Sequence, residues 1–421
     1  MIDYTQFPER KILCIDMKSF YSSVAAVDKG LDPLTCYLAV VANTDRSGSV
    51  VLAASPALKR DYKIKTGSRM FEIPNDPKIL IVNPKMRLFV RVSTELTKLF
   101  YRYVPPSAVH TYSVDESFLD VKGLEKIWGT PDEIAALIQA DIRKSFGLPC
   151  TVGIGPNMLI AKLALDLESK KAPNGIAEWT YDDIPRKLWP LQPLSEMWGI
   201  GSRTQKTLHS MGIFTVGQLA RFDLSLLEKK FGIMGNQLYH HAWGVDLSEI
   251  GAPIVQGQVS FGKSQILLRD YKEEKEIKAV VLEMCEEVAR RARNARKVGR
   301  TISFGLSYSK DEFGGGFLRS RTIEEPTNVT IDIYQVCLEL MKENYRGQTV
   351  RQISLSIGKL YDDYEMQLDL FDVDGWKKRA LGYTVDKIRN KFGSAALLRA
   401  VSYTAAGTAK HRASLVGGHQ G

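Results

Sequence analysis

Cysteine is scarce and scattered: a chain of 421 residues holds five, at Cys14, Cys36, Cys150, Cys285 and Cys337. An odd number with no C-x-x-C pair excludes a disulfide framework, and no two of them share a metal-ligand spacing, which argues against zinc. Reduced, structural thiols are expected. Long hydrophobic runs are also missing, since no stretch approaches the roughly 18 apolar residues of a membrane-spanning helix. The opening MIDYTQFPERK lacks the charged-then-apolar layout of a secretory signal, so a cytoplasmic protein is expected. The composition shows no bias toward disorder, with 44% hydrophobic and 25% charged residues. At this length two or more domains are expected, because single cores stop growing well below it. Lys and Arg number 57 against 48 acids, a formal net charge of +9. That excess points to a polyanionic partner, nucleic acid ahead of a membrane surface.

The periodicity gives an order of elements. KILCID, residues 11–16, reads as a buried strand, and SFYSSVAAVDKG as a helix with Gly30 at its C-terminal cap. NPKMRLFVRVSTELTKLFYRY predicts a long amphipathic helix with Asn83 as N-cap and Pro84 in its first position. AVHTYSV and ESFLDVKG read as short strands, PDEIAALIQADIRKSFG as a helix, CTVGIG as a strand, and NMLIAKLALDLES as a helix capped by Asn157. The resulting β-α-β-β-α-β order is a split arrangement with helices packed on a mostly antiparallel sheet. Residues 31–74 read as a small mixed lobe inserted after the first helix, and residues 181–247 as a compact helical domain. Residues 258–360 repeat the order: strand QVSFGKSQILL, helix, strands RTISFGLSYS and GFLRSRTI, helix VTIDIYQVCLELMKENY, strand VRQISLSIGKL. Beyond Leu360 the periodicity fades, and the final HRASLVGGHQG reads as a mobile tail.

The stretch YSVDES sets Asp115 beside Glu116 at the foot of a hairpin, and Asp16 ends the first strand. In a split β-α-β sheet that strand neighbours the hairpin, so the three carboxylates are expected within about one strand spacing, roughly 5 Å. Like charges so close raise one another's pKa unless a cation intervenes. Hard oxygen ligands without His or Cys select Mg²⁺ or Mn²⁺. Two such ions, about 3.5–4 Å apart, would stabilise the attacking and leaving oxygens of a phosphoryl displacement.

CIDMKSFYSSV and TYSVDESFLDV resemble the two palm motifs of the Y-family, lesion-bypass DNA polymerases, in particular the UmuC-like branch with its UvrX-type proteins of Gram-positive bacteria. The resemblance continues through GIGPNMLIAKLALDL and APNGI to about residue 360. It implies a multidomain α+β fold: palm at 1–30 and 75–180, fingers at 31–74, helical thumb at 181–247, little finger at 248–360, and a tail at 361–421. It also implies Asp16, Asp115 and Glu116 as catalytic metal ligands, joined by the main-chain carbonyl of Met17, with two Mg²⁺ ions as cofactor. Tyr21 falls at the family's steric gate, which excludes ribonucleotides. Phe20, through its backbone N–H, Arg60 and Lys171 fall at positions that hold the incoming dNTP, with Lys170 a rival to Lys171. Ala54 and Ala57 stand where many members have a Thr and a Tyr reaching the triphosphate.

WGIGSRTQKTLHSMGI is similar to the family's helix-hairpin-helix, in which Gly199 and Gly201 let a DNA phosphate approach backbone N–H groups at a helix start. ARRARNARKVGR, with six basic residues and no acid, and Arg319 and Arg321, alternating onto one strand face, are candidates for DNA backbone contacts. In the tail, QLDLF resembles the peptide by which bacterial polymerases dock on the sliding clamp, with Gln367, Leu370 and Phe371 as contacts. The expected function is template-directed translesion DNA synthesis on primer-template DNA. A nucleotide cyclase with a similar palm, or a non-catalytic DNA-binding regulator that retains the fold, shares parts of the pattern.

Overall fold

The structure, a computed structural model, describes residues 2–251, 259–310, 312, 315–365 and 374–420. The chain divides into two compact units, Met1–Pro253 with His419–Gly421, and Ile254–Gly418.

In the first unit, β1 (Ile12–Met17) leads into α1 (Phe20–Asp28). There follow β2 (Leu38–Val41), β3 (Val51–Ala54), α2 (Pro56–Tyr62) and β4 (Leu80–Val82), a small lobe whose sheet runs β3-β2-β4 over a core that includes Val41, Val51 and Leu58. The chain returns through α3 (Met86–Phe100), β5 (Val109–Thr111), β6 (Glu116–Asp120), α4 (Glu125–Trp128), α5 (Pro131–Phe146), β7 (Cys150–Gly155), α6 (Met158–Ala164) and β8 (Ile176–Glu178). The main sheet has the order β5-β6-β1-β7-β8, with β1 antiparallel to both neighbours. Four helices complete the unit: α7 (Ser202–Ser210), α8 (Val216–Ala220), α9 (Leu224–Phe231) and α10 (Ile233–Ala242), packed around Leu208, Leu219, Leu227 and Leu238.

Local chemistry explains most boundaries. Thr130 and Glu133 form a reciprocal capping box on α5, and Gly147 closes it in the left-handed conformation. Asn157 caps α6 by accepting from the Ile160 N–H at 2.9 Å. The cap expected at Asn83 is not made: α3 starts at Met86, and the Asn83 amide bridges instead to the backbone and hydroxyl of Thr44. Gly153 is dictated by packing, because a Cβ there would lie 2.1 Å from the Ala161 carbonyl oxygen. Its absence lets α6 press onto the sheet, burying Met158, Ala161 and Leu165 against Ile12, Cys14 and Phe118.

The second unit repeats the order with β9 (Ser260–Tyr271), α11 (Glu274–Asn294), β10 (Lys297–Tyr308), β11 (Gly316–Thr327), α12 (Thr330–Asn344) and β12 (Val350–Asp362) in a sheet ordered β11-β10-β12-β9. Ile302, Phe304, Ile353 and Leu355 face the helices and are buried with Val281, Cys285 and Cys337. The expected tail needs correction. Residues after 374 form α13 (Gly375–Phe392) and α14 (Ala409–Ala413), held to α11 by charge rather than by an apolar stripe. Asp386 pairs with buried Arg293, and Glu283 accepts from the Thr408 backbone and hydroxyl. That polar attachment is why hydrophobic periodicity did not reveal it.

Candidate active site

The ladder between β1 and β6 sets Asp16 directly opposite Glu116, and the Met17 N–H donates to the Asp115 carbonyl at 3.0 Å. Ser113 holds the turn before β6, its hydroxyl donating to Asp115 at 2.7 Å and accepting from the Glu116 N–H at 3.1 Å. After β1 the chain reverses at Ser19, whose φ of 51° is in the left-handed region. Ser22 and Ser23 stabilise that reversal by donating to the Ser19 and Lys18 carbonyls. Ser19 does not cap α1; its hydroxyl accepts from Lys59 at 2.7 Å. The first N–H groups of α1, at Phe20 and Tyr21, therefore open the helix without a side-chain cap, which favours an anion there.

Two lysines engage the carboxylates. Lys162, buried on α6, lies 2.9 Å from Glu116, and Lys170 lies 3.1 Å from Asp16. Beyond Ala164 the helix widens into a π turn at Leu165–Ser169 before reaching Lys170. Such widened turns concentrate at functional sites because they re-aim the side chains that follow. Burial holds the Asp16 carboxyl above the usual range, and Lys170 only partly offsets it, with Asp115 and Glu116 adding to the rise. Burial by itself would depress Lys162, but the hydrogen bond and charge of Glu116 outweigh it and raise its pKa. Cys14 lies beneath, its thiol donating to Glu116 at 3.1 Å, with burial first and Glu116 second keeping it protonated.

The donor set of Asp16, Asp115, Glu116 and the Met17 carbonyl is all oxygen, with Cys14 a neutral thiol, and so fits a hard divalent cation. Yet among the described residues no group of three or more His, Cys, Asp or Glu side chains is arranged to hold a metal ion. The carboxylates are brought to neighbouring positions but not to a ready cage. Ammonium groups are paired with Glu116 and Asp16.

Other expected residues divide. Tyr21 stacks on Phe89 with ring centroids 4.7 Å apart, and Phe20 is buried beside it. Of the rivals Lys170 and Lys171, both exposed, Lys170 lies 3.1 Å from Asp16. Arg60 is exposed and paired with its neighbour Asp61 at 2.7 Å, while Lys59 of the same helix reaches the site. Ala54 and Ala57 are fully buried. Gly199 has a φ of +92°, and Gly201 precedes α7 with open space where a Cβ would stand. Lys59, Lys162 and Asp166 were missed by sequence reasoning. The four-residue spacing of Lys162, Asp166 and Lys170 was the available signal for two of them.

In the second unit several of the candidate basic residues are engaged by the protein itself, while Arg319 and Arg296 are exposed. Arg319 and Arg321 lie opposite Phe304 and Ile302, on the helix-covered side, and Arg321 pairs with Glu339 and, at 2.6 Å, Glu343. Within ARRARNARKVGR, Arg293 is buried against Asp386, Arg291 pairs with Glu287, and Lys297 pairs with Asp362. The opposite face of the sheet is lined by hydroxyls instead: Ser264 with Ser354 at 2.8 Å, Ser303 with Ser320 at 2.8 Å, and Thr301 with Thr322 at 3.1 Å. Gln367, Leu370 and Phe371 lie outside the described residues.

Three family descriptions match this chain: the impB/mucB/samB family over residues 15–166, its C-terminal domain over 258–370, and the IMS family HHH motif over 181–213. The chain is 66% identical over its whole length to the whole of UvrX of Bacillus subtilis (strain 168), a protein provisionally assigned to UV-damage repair. It is 40% identical to DNA polymerase IV 2 of the same organism, across 98% of this chain and 99% of that one. A solved Y-family DNA polymerase chimera shares the fold at a TM-score of 0.65 and 19% identity, covering 84% of this chain and 99% of the chimera. The chain belongs to the UmuC-like Y-family of DNA-directed DNA polymerases. Polymerases of this family generally depend on divalent metal ions. Among the described residues no helix is long and apolar enough to cross a membrane.

Proposed function

We propose that this chain performs translesion DNA synthesis, joining a dNTP to a primer 3′-hydroxyl in DNA damage tolerance. The observation that carries the reading is the register of Asp16 against Glu116, with Asp115 tied through its carbonyl to Met17. Asp16, Asp115, Glu116 and the Met17 carbonyl would hold two Mg²⁺ ions. Bound there, they would activate the primer hydroxyl and neutralise charge on the leaving phosphates. The uncapped start of α1 offers backbone N–H groups to the triphosphate, and Lys59 and Lys170 supply positive charge beside it. Tyr21, fixed in plane by Phe89, would lie beneath the deoxyribose and exclude a 2′-hydroxyl. Lys162 stays on Glu116 and orients it. Gly201 and the start of α7 would receive a DNA phosphate. In the second unit the exposed hydroxyl face is better suited to the duplex backbone than the arginines the sequence favoured, because hydroxyls can donate to phosphates without the cost of breaking an ion pair.

The direct test is primer extension by purified protein on intact and damaged templates with Mg²⁺. Extension on both is expected, and no incorporation on either would sink the reading. We also propose that Gln367, Leu370 and Phe371 dock the chain on a sliding clamp. Replacing Leu370 and Phe371 by Ala should abolish clamp pull-down, and equal recovery of clamp by both proteins would remove that partner.

A further inference from the structure

Asp166 has no role in the scheme above, yet both lysines that hold the carboxylates touch it. Its Oδ2 lies 3.1 Å from Lys162, which also holds Glu116 at 2.9 Å; its Oδ1 lies 2.7 Å from Lys170, which also holds Asp16 at 3.1 Å. Charge therefore alternates along one continuous path, Glu116, Lys162, Asp166, Lys170, Asp16. The path has a local cause. Residues 162, 166 and 170 recur every four positions along α6 and its π-turn continuation, and Gly153 lets that helix lie close enough to the sheet for its lysines to reach the strand ends.

The consequence is an exchange problem. A divalent cation at Asp16 competes with Lys170 for that carboxylate, and a lysine with no second acceptor would keep competing for it. Asp166 supplies the second acceptor within hydrogen-bond distance. Lys170 donates to Oδ1 at 2.7 Å, an oxygen that Lys162 also addresses at 3.4 Å, and Lys162 lies 3.1 Å from Oδ2 as well, so Lys162 keeps an acceptor on Asp166 whatever Lys170 does. We propose that Asp166 is a positioning residue that retains Lys170 at the edge of the site when a divalent cation claims Asp16, while keeping Lys162 on Glu116. This inference rests on the carboxylate reading above and deepens it.

The test is binding of Mn²⁺ alone to the full chain, without DNA or nucleotide, read from the loss of the free-Mn²⁺ electron paramagnetic resonance signal, with melting temperature measured alongside. Lys170→Met should bind about three- to tenfold more tightly than wild type, because the competing ammonium is gone. Asp166→Asn should bind about three- to tenfold more weakly, because Lys170 then stays on Asp16. In the Lys170→Met background the Asp166→Asn change should alter binding by less than about twofold, since its effect passes through the lysine. Wild-type affinity in Asp166→Asn with only a lower melting temperature would reduce Asp166 to a helix brace and overturn the proposal. An undiminished effect in the double variant would also overturn it, by showing that Asp166 acts through its charge alone. Asp16→Asn reads the underlying site separately: if it binds Mn²⁺ as wild type does, the carboxylate reading fails, and this inference with it.

Discussion

The two β-α-β-β-α-β units follow one order of elements and use it for opposite purposes. In the first, charged side chains gather at strand ends: Asp16 and Glu116 face each other across β1 and β6, and α6 delivers lysines to them. In the second, charge is drawn inward to fasten helices, as Arg293 does with Asp386 and Arg389 with Glu286, and the exposed face of the sheet is left to neutral hydroxyls. The difference teaches that element order supplies a frame, while chemistry depends on which positions carry charge and on what those charges meet.

The sharpest break of the contrast is chemical. Asp115→Asn with Glu116→Gln should reduce primer extension by about a thousandfold or more, the loss of several kcal/mol of charge stabilisation, while DNA binding persists. Gel shifts beside extension assays check this, and near-normal extension would detach the first unit from catalysis. The next effect is structural and belongs to the second unit. Asp386→Ala strands a buried guanidinium and should cost about 3–5 kcal/mol in denaturant unfolding of that unit. An unfolding curve superimposable on wild type would show that charge does not fasten α13. The smallest effect separates the two faces of the second sheet. Ser303→Asp with Ser354→Asp, which places negative charge on the hydroxyl face, should weaken DNA binding by about tenfold and make its salt response shallower, since salt screens the added repulsion. Arg321→Ala, on the other face, should change it by no more than about twofold, since that charge is already paired with Glu339 and Glu343. Fluorescence anisotropy with labelled duplex, at two salt concentrations, reads both; a larger loss from Arg321 would reverse the assignment of faces.

Much of this was legible in sequence because the signals were local. Periodicity located β1, α5 and the hairpin carrying Asp115, the Asn157 cap located the start of α6, and two short motifs located the carboxylates. What escaped was set by tertiary packing. Nothing in ALKRDYK tells Lys59 from Arg60, since the two neighbours differ only in the direction each leaves a short helix. That Lys170 lies against Asp16 follows from a π turn, which shifts every later side chain by part of a helical turn and leaves no mark in periodicity. Arg319 and Arg321 were correctly placed on one face, but strand alternation does not say which face a helix will cover. The helix α13 was invisible because its attachment is ionic, and hydrophobic pattern is blind to a buried Arg–Asp contact.

Gly153 turns a backbone detail into a gauge. The depth at which α6 rests on the sheet is fixed by a missing methyl group, so alanine there would act as a shim, lifting the lysine-bearing helix away from the strand ends. Catalysis would then be lost through a residue with no side chain, two positions along β7 from the one that faces Asp16. A screen of this chain for inactive variants should find that position as readily as the acids themselves.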